Sequence, residues 1–112
     1  MRISAEKHGD VLVLTLAGRL DSSTSAVLQQ DLLDRIRRGE HRLVLDFSAT
    51  EYVSSAGLRA LLMAAKQMDQ AGGKLVLCAL AGQSLGAFEI SGFTGLLRIC
   101  AGREEATLLA SG

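Results

Sequence analysis

The chain has 112 residues, 48% of them apolar, and its 12 Lys and Arg balance 12 Asp and Glu. That length fits one domain and is too short for two ordinary ones, and the apolar fraction argues against a wholly disordered protein. Balanced charge removes any general attraction to phosphate backbones or anionic lipid. With 3 Phe, 1 Tyr and no Trp there is little to stack on bases, so composition disfavours direct nucleic-acid binding.

The predicted elements follow in chain order. His8-Gly9-Asp10 reads as a hairpin turn between a short first strand and the run Val11–Leu16. That run is apolar on both faces, as a strand covered on two sides should be. Gly18 is expected to end it. Asp21-Ser22-Ser23-Thr24 offers several N-cap residues, and Leu28, Leu32 and Ile36 follow at four-residue spacing as one face of a helix. Arg35, Arg37 and Arg38 crowd its last turn, where the helix dipole favours cations, and Gly39 stands where a helix-terminating glycine belongs. Leu43–Phe47 is a second buried strand, followed by an expected loop, Asp46–Ser54. Ser54-Ser55 then opens a helix with Leu58, Leu61, Leu62, Ala65 and Met68 on one stripe, ended by Gly72-Gly73. A strand over Lys74–Leu80, a helix over about Ser84–Ile90, a strand over Leu96–Cys100 and a short helix over Arg103–Ala110 complete the chain.

The expected fold is a single α/β domain over residues 1–112, in the order β-β-α-β-α-β-α-β-α. About five strands form a mixed, mostly parallel sheet under about four helices. Strands separated by helices pair in parallel, so only the first should be antiparallel. The carboxyl ends of the parallel strands then share one edge, where open α/β sheets form their sites.

Little catalytic chemistry is legible. Cys78 and Cys100 are too few for a secreted disulfide framework and sit in apolar runs, which predicts buried thiols. His8 and His41 lie in different turns without metal-ligand spacing, so no metal is expected. Ala81-Gly82-Gln83-Ser84-Leu85-Gly86 has neither the Lys-Ser/Thr nor the spacing of a phosphate-binding loop, so no nucleotide cofactor is expected. Ser54-Ser55-Ala56-Gly57 lacks the hydrolase nucleophile elbow and has no histidine after it to act as base, which disfavours an enzyme. Asp46 and Glu51 flank one loop and read as surface or capping groups. The N-terminal residues form no apolar leader, and no run approaches the ~20 apolar residues of a bilayer span. The expectation is a soluble cytoplasmic protein without membrane contact.

Two features of the serine pair exceed a simple helix cap. Gly57 falls in the first helical turn, where glycine costs up to ~1 kcal/mol relative to alanine. Its missing Cβ is expected to let another surface approach the backbone. If Ser54 is the N-cap, Ser55 is the first helical residue, with its hydroxyl beside free N–H groups that favour a phosphate. From the residues alone, a cap and a phosphoacceptor remain alternatives.

The segment Leu43–Arg59, with Asp46-Phe47-Ser48 and Tyr52-Val53-Ser54-Ser55-Ala56-Gly57-Leu58, resembles the signature of STAS-domain proteins, the bacterial anti-sigma factor antagonists. Gly18-Arg19-Leu20-Asp21, Ala71-Gly72-Gly73-Lys74-Leu75, Phe88-Glu89-Ile90-Ser91-Gly92-Phe93 and Arg103-Glu104-Glu105-Ala106 fit as well, so the resemblance spans essentially the whole chain. It implies a single STAS domain acting in signal transduction and transcription regulation by partner switching. The unphosphorylated form would bind an anti-sigma factor that is an ATP-dependent serine kinase with a histidine-kinase-type ATPase domain. Phosphorylation would block binding, and a PP2C-type phosphatase would reset the switch. Ser55 matches the acceptor. Many members have Asp where this chain has Ser54, which leaves Ser54 as the alternative acceptor. The implied partner-binding residues are Asp21, Ser54, Ser55, Ala56, Gly57 and Arg59, on a chain expected to be monomeric when free. The competing reading is a STAS-type module that senses a nucleotide or small ligand at the same strand edge.

Overall fold

The computed structural model describes residues 1–80 and 98–111. Its strands are β1 (Arg2–His8), β2 (Val11–Leu20), β3 (Arg42–Asp46), β4 (Thr50–Val53), β5 (Lys74–Cys78) and β6 (Arg98–Cys100). Its helices are α1 (Ser25–Arg37), α2 (Ser55–Gln70) and α3 (Arg103–Ala110). The helix expected over Ser84–Ile90, and Leu96 and Leu97 of the last strand, lie outside the described residues.

The sheet runs β1-β2-β3-β5-β6, with β4 off this path beside β2. β1 pairs with β2 antiparallel, and the other pairings are parallel; for β2–β3 and β3–β5 this follows from the crossovers through α1 and α2. Along the central strands leucine and valine alternate with the period-two geometry of a pleated strand. Leu12, Leu14, Leu43, Leu45, Leu75 and Leu77 face one side, against Leu28 and Leu32 of α1 and Leu58, Leu61 and Met68 of α2. Val11, Val13, Val44 and Val76, with Cys78 and Cys100, face the other, against Ala106 and Ala110 of α3. The strands read as continuous apolar runs because both faces are covered. Arg35 and Arg37 occupy the last turn of α1 as expected. The chain leaves α1 through a Schellman pair, Gly39 N–H to Ile36 C=O and Glu40 N–H to Arg35 C=O.

Three boundaries differ from expectation. Gly18 does not end β2: at φ +107° it sits at a register shift, and the strand continues to Leu20. The stretch expected as a loop between Asp46 and Ser54 contains β4, which brings the strands among the described residues to six, against about five expected. β4 lies alongside the end of β2, beyond the point where β3 stops. The Thr50 hydroxyl donates to Leu16 C=O at 2.6 Å, and Gly18 N–H donates to Ala49 C=O at 3.1 Å, fastening it there. β5 stops at Cys78 rather than Leu80, because Ala79 turns to φ +60°.

Candidate functional site

β4 delivers the chain to α2. Ser54 is its N-cap, in an extended conformation with φ −84° and ψ 172°. The Ser54 side chain accepts a hydrogen bond from Gly57 N–H at 3.1 Å. Its backbone N–H donates to Leu20 C=O at 2.8 Å, so the start of α2 is tied to the end of β2. Such a cap is worth about 1 kcal/mol. Ser54 is thus half-buried with its oxygen engaged, whereas Ser55, the first residue of α2, is exposed. The first N–H groups of a helix have no partner within it, and the first turn of α2 contains no acidic residue. The Ser55 hydroxyl therefore stands in the positive field of a helix end with no carboxylate from that turn beside it.

Gly57 corrects the expectation attached to it. It is buried, and the absent Cβ points into the fold: a methyl there would stand 2.6 Å from Leu20 Cγ and 3.0 Å from Leu20 C=O. The close approach that needs glycine is made by β2 and not by another molecule. Gly57→Ala should accordingly destabilise the protein, by about 1–2 kcal/mol net. Overpacking costs about 1–3 kcal/mol, and the better helix propensity of alanine returns up to ~1. Urea unfolding reads this directly, and a variant as stable as the parent would show that Leu20 yields freely.

Because Ser54 is bonded to Leu20, the following Asp21 turn belongs to the same end of the molecule. The Asp21 carboxylate accepts from the Ser23 hydroxyl at 2.6 Å, Ser23 N–H at 3.0 Å and Thr24 N–H at 3.2 Å. The Ser23 hydroxyl bond, then its N–H, holds the Asp21 carboxyl below its ordinary range. Thr24 is the residue before α1, but its hydroxyl donates to Arg19 C=O instead of capping that helix. Arg19 and Tyr52 are register partners between β2 and β4, and the guanidinium lies 4.7 Å from the centre of the exposed Tyr52 ring. The structure therefore assembles Asp21, Ser54 and Ser55, adds Arg19 and Tyr52, and places Arg59 one turn along the exposed side of α2. Ala56 is half-buried, and Gly57 is not presented. Arg19 and Tyr52 escape a reading of the sequence because their pairing exists only through β4.

Of the two roles expected of Asp46, a surface or a capping group, the structure excludes the first and shows a turn-capping bond. Asp46 is 4% exposed, and its Oδ1 accepts from Ser48 N–H at 2.8 Å. Its Oδ2 accepts from Arg103 Nε at 2.9 Å and lies 2.7 Å from Arg103 Nη2. Burial opposes ionisation of Asp46, but the Ser48 and Arg103 bonds outweigh it and hold the carboxyl below its ordinary range. Arg103 also donates to the Thr15 hydroxyl at 2.7 Å, so this group locks α3 onto β2 and β3, on the face of the sheet away from α2. Glu51 is exposed and takes no part in it. Cys78 and Cys100 are buried free thiols on neighbouring strands, as their apolar runs predict, and burial pushes the Cys78 thiol up to about 11. Among the described residues no cluster of His, Cys, Asp and Glu has the makings of a metal site, and no helix is long and apolar enough to cross a membrane.

The chain is 39% identical over 106 residues to BtrV of Bordetella bronchiseptica, named as a candidate anti-sigma factor antagonist; the match covers 95% of this chain and 91% of that protein. It is 30% identical over 79 residues to the anti-sigma F factor antagonist of Paenibacillus polymyxa, covering 70% and 68%. In three dimensions it superposes on phosphorylated SpoIIAA of Bacillus with a TM-score of 0.75 at 19% identity, covering 98% and 100%, a likeness of fold. Residues 2–106 match the STAS domain model, and the chain belongs to the STAS domain family.

Proposed function

We propose that this protein is a phosphorylation-switched anti-sigma factor antagonist, with Ser55 as the phosphoacceptor. The observation that carries the assignment is the contrast between the two serines. Ser54 is half-buried with its oxygen committed to Gly57 N–H, whereas Ser55 is exposed at the positive end of α2. The names of BtrV and of the Paenibacillus polymyxa relative support the antagonist reading, and the neighbour solved in a phosphorylated form supports the switch.

In this reading the unphosphorylated chain binds a cognate anti-sigma factor, an ATP-dependent serine kinase, through the face formed by Asp21, Ser54, Ser55, Ala56 and Arg59. Binding frees the client of that factor. Phosphate on Ser55 adds about −1.5 to −2 charge, which brings desolvation and like-charge repulsion into the interface and releases the partner. A PP2C-type phosphatase restores the binding form. The protein itself performs no catalysis and works in the cytoplasm. A polar cavity of about 180 Å³ among the described residues, lined by Lys7, Asp10, Gly39, Glu40, His41 and Arg42, lies at the opposite end of the sheet from Ser55.

The test is intact-mass analysis after incubation with the cognate kinase and ATP. One phosphate should be gained by the parent and by Ser54→Ala, and none by Ser55→Ala. A phosphate retained in Ser55→Ala and lost in Ser54→Ala would move the acceptor to Ser54.

A further inference from the structure

Ser55 and Arg59 stand four residues apart in α2, and both are exposed. Residues at this spacing share one face of a helix, with Cβ atoms about 5–6 Å apart. Helical side chains lean toward the N-terminus, so an arginine at this place reaches back over the turn that holds Ser55. Among the described residues Arg59, like Arg2, Arg38 and Arg98, enters none of the ion pairs, and of these four it alone lies on α2 beside Ser55. The first turn of α2 has no acidic residue to compete for it.

Resting on the reading of Ser55 as phosphoacceptor, we propose that Arg59 is the internal counter-ion of the Ser55 phosphate. The guanidinium fork donates charge-assisted hydrogen bonds to two phosphate oxygens, a geometry that lysine, a point charge, does not reproduce. Phosphate on Ser55 is then held from two directions, by the N–H groups of the helix end and by Arg59. The modified face changes twice over: it gains an anion, and it loses Arg59 as a free cation for docking. The arrangement explains how a dianion is accommodated on a folded surface without disturbing the Ser54 cap beneath it.

The experiment uses the full chain with phosphoserine installed genetically in place of Ser55, so no kinase is needed. Phosphorus NMR follows the second phosphate ionisation, ordinarily near pH ~6. An arginine counter-ion favours the dianion and lowers that midpoint. Arg59→Gln should raise it by about 0.2–0.4 pH unit, and Arg59→Lys should fall between. Unphosphorylated Arg59→Gln should melt with the parent, since the side chain is exposed. Equal midpoints for the parent and Arg59→Gln would overturn the proposal. A kinase that fails to modify Ser55 would instead overturn the acceptor assignment, and it would not alter the NMR result.

Discussion

Arg103→Ala should destabilise the protein by roughly 2–4 kcal/mol, a loss comparable to truncating a buried core leucine to alanine. Among the described residues, the substitution leaves the Asp46 carboxylate, 4% exposed, with Ser48 alone to hydrogen-bond it. Breaking a fully enclosed ion pair from one side costs about 3–5 kcal/mol. The figure here is lower because the Arg103 side chain is 39% exposed and water reaches the gap. The bond to Thr15 is lost as well. For a domain near this size, each kcal/mol moves Tm by about 4–8 °C, so calorimetry should record a fall of roughly 10–20 °C. A fall under 3 °C, about what a neutral surface change produces, would show that Asp46 is solvated in solution.

The pH dependence follows from the direction of the Asp46 shift. Its folded carboxyl ionises below the ordinary value of 3.8, so the folded state binds fewer protons than the unfolded state in that region. The stabilisation is complete above pH ~4 and is lost as pH falls through the depressed folded value. In Arg103→Ala the part of that depression supplied by Arg103 is removed, while the Ser48 bonds remain. The stability gap between parent and variant should therefore be constant from pH 7 to about 5 and shrink below about 4. A gap that widens on acidification would assign the pair no such role.

Why some of this was legible in sequence and some was not comes down to the range of each contact. α1 and α2 could be read because Leu28, Leu32 and Ile36, or Leu58, Leu61 and Met68, repeat with the helical period, and β2, β3 and β5 because they are apolar on both faces. Those are local patterns, and so is the serine pair before an apolar stripe. β4 was hidden because Thr50-Glu51-Tyr52-Val53 is short and largely exposed, and is ordered by pairing with β2. Gly18 compounded this: a glycine in a strand signals either an end or a bulge, and only the position of β4 decides for the bulge. The burial of Asp46 is not legible because its partner Arg103 lies 57 residues away, on an element that the sequence alone does not place above β3. Gly57 is the instructive middle case. Its cost in a first helical turn was visible, and so was the inference that something approaches its backbone. That the neighbour is Leu20 depends on the bond between Ser54 N–H and Leu20 C=O, which joins two segments that sequence spacing keeps apart.

Ser55→Asp should leave the fold intact and weaken partner binding severely. Ser55 is exposed at the first position of α2, and among the described residues its side chain makes no hydrogen bond. A carboxylate there meets the positive end of the helix, an interaction worth about 0.3–1 kcal/mol, so Tm should stay level or rise slightly. The proposed interface responds differently. A docked partner must strip water from the added charge, and an unpaired charge buried at an interface costs about 2–5 kcal/mol. That corresponds to a loss of about thirty- to several-thousand-fold in affinity. Aspartate carries less charge than phosphate and is shorter, and Arg59 can neutralise part of it across one turn, so the lower end is the expected value. Ser55→Ala adds no charge and should bind within a few-fold of the parent. Isothermal titration of the three proteins against the purified kinase separates charge from shape. Weak binding by Ser55→Ala as well would mean that the hydroxyl itself is a docking contact, whereas parental affinity in Ser55→Asp would remove the electrostatic switch even if Ser55 were fully phosphorylated by that kinase.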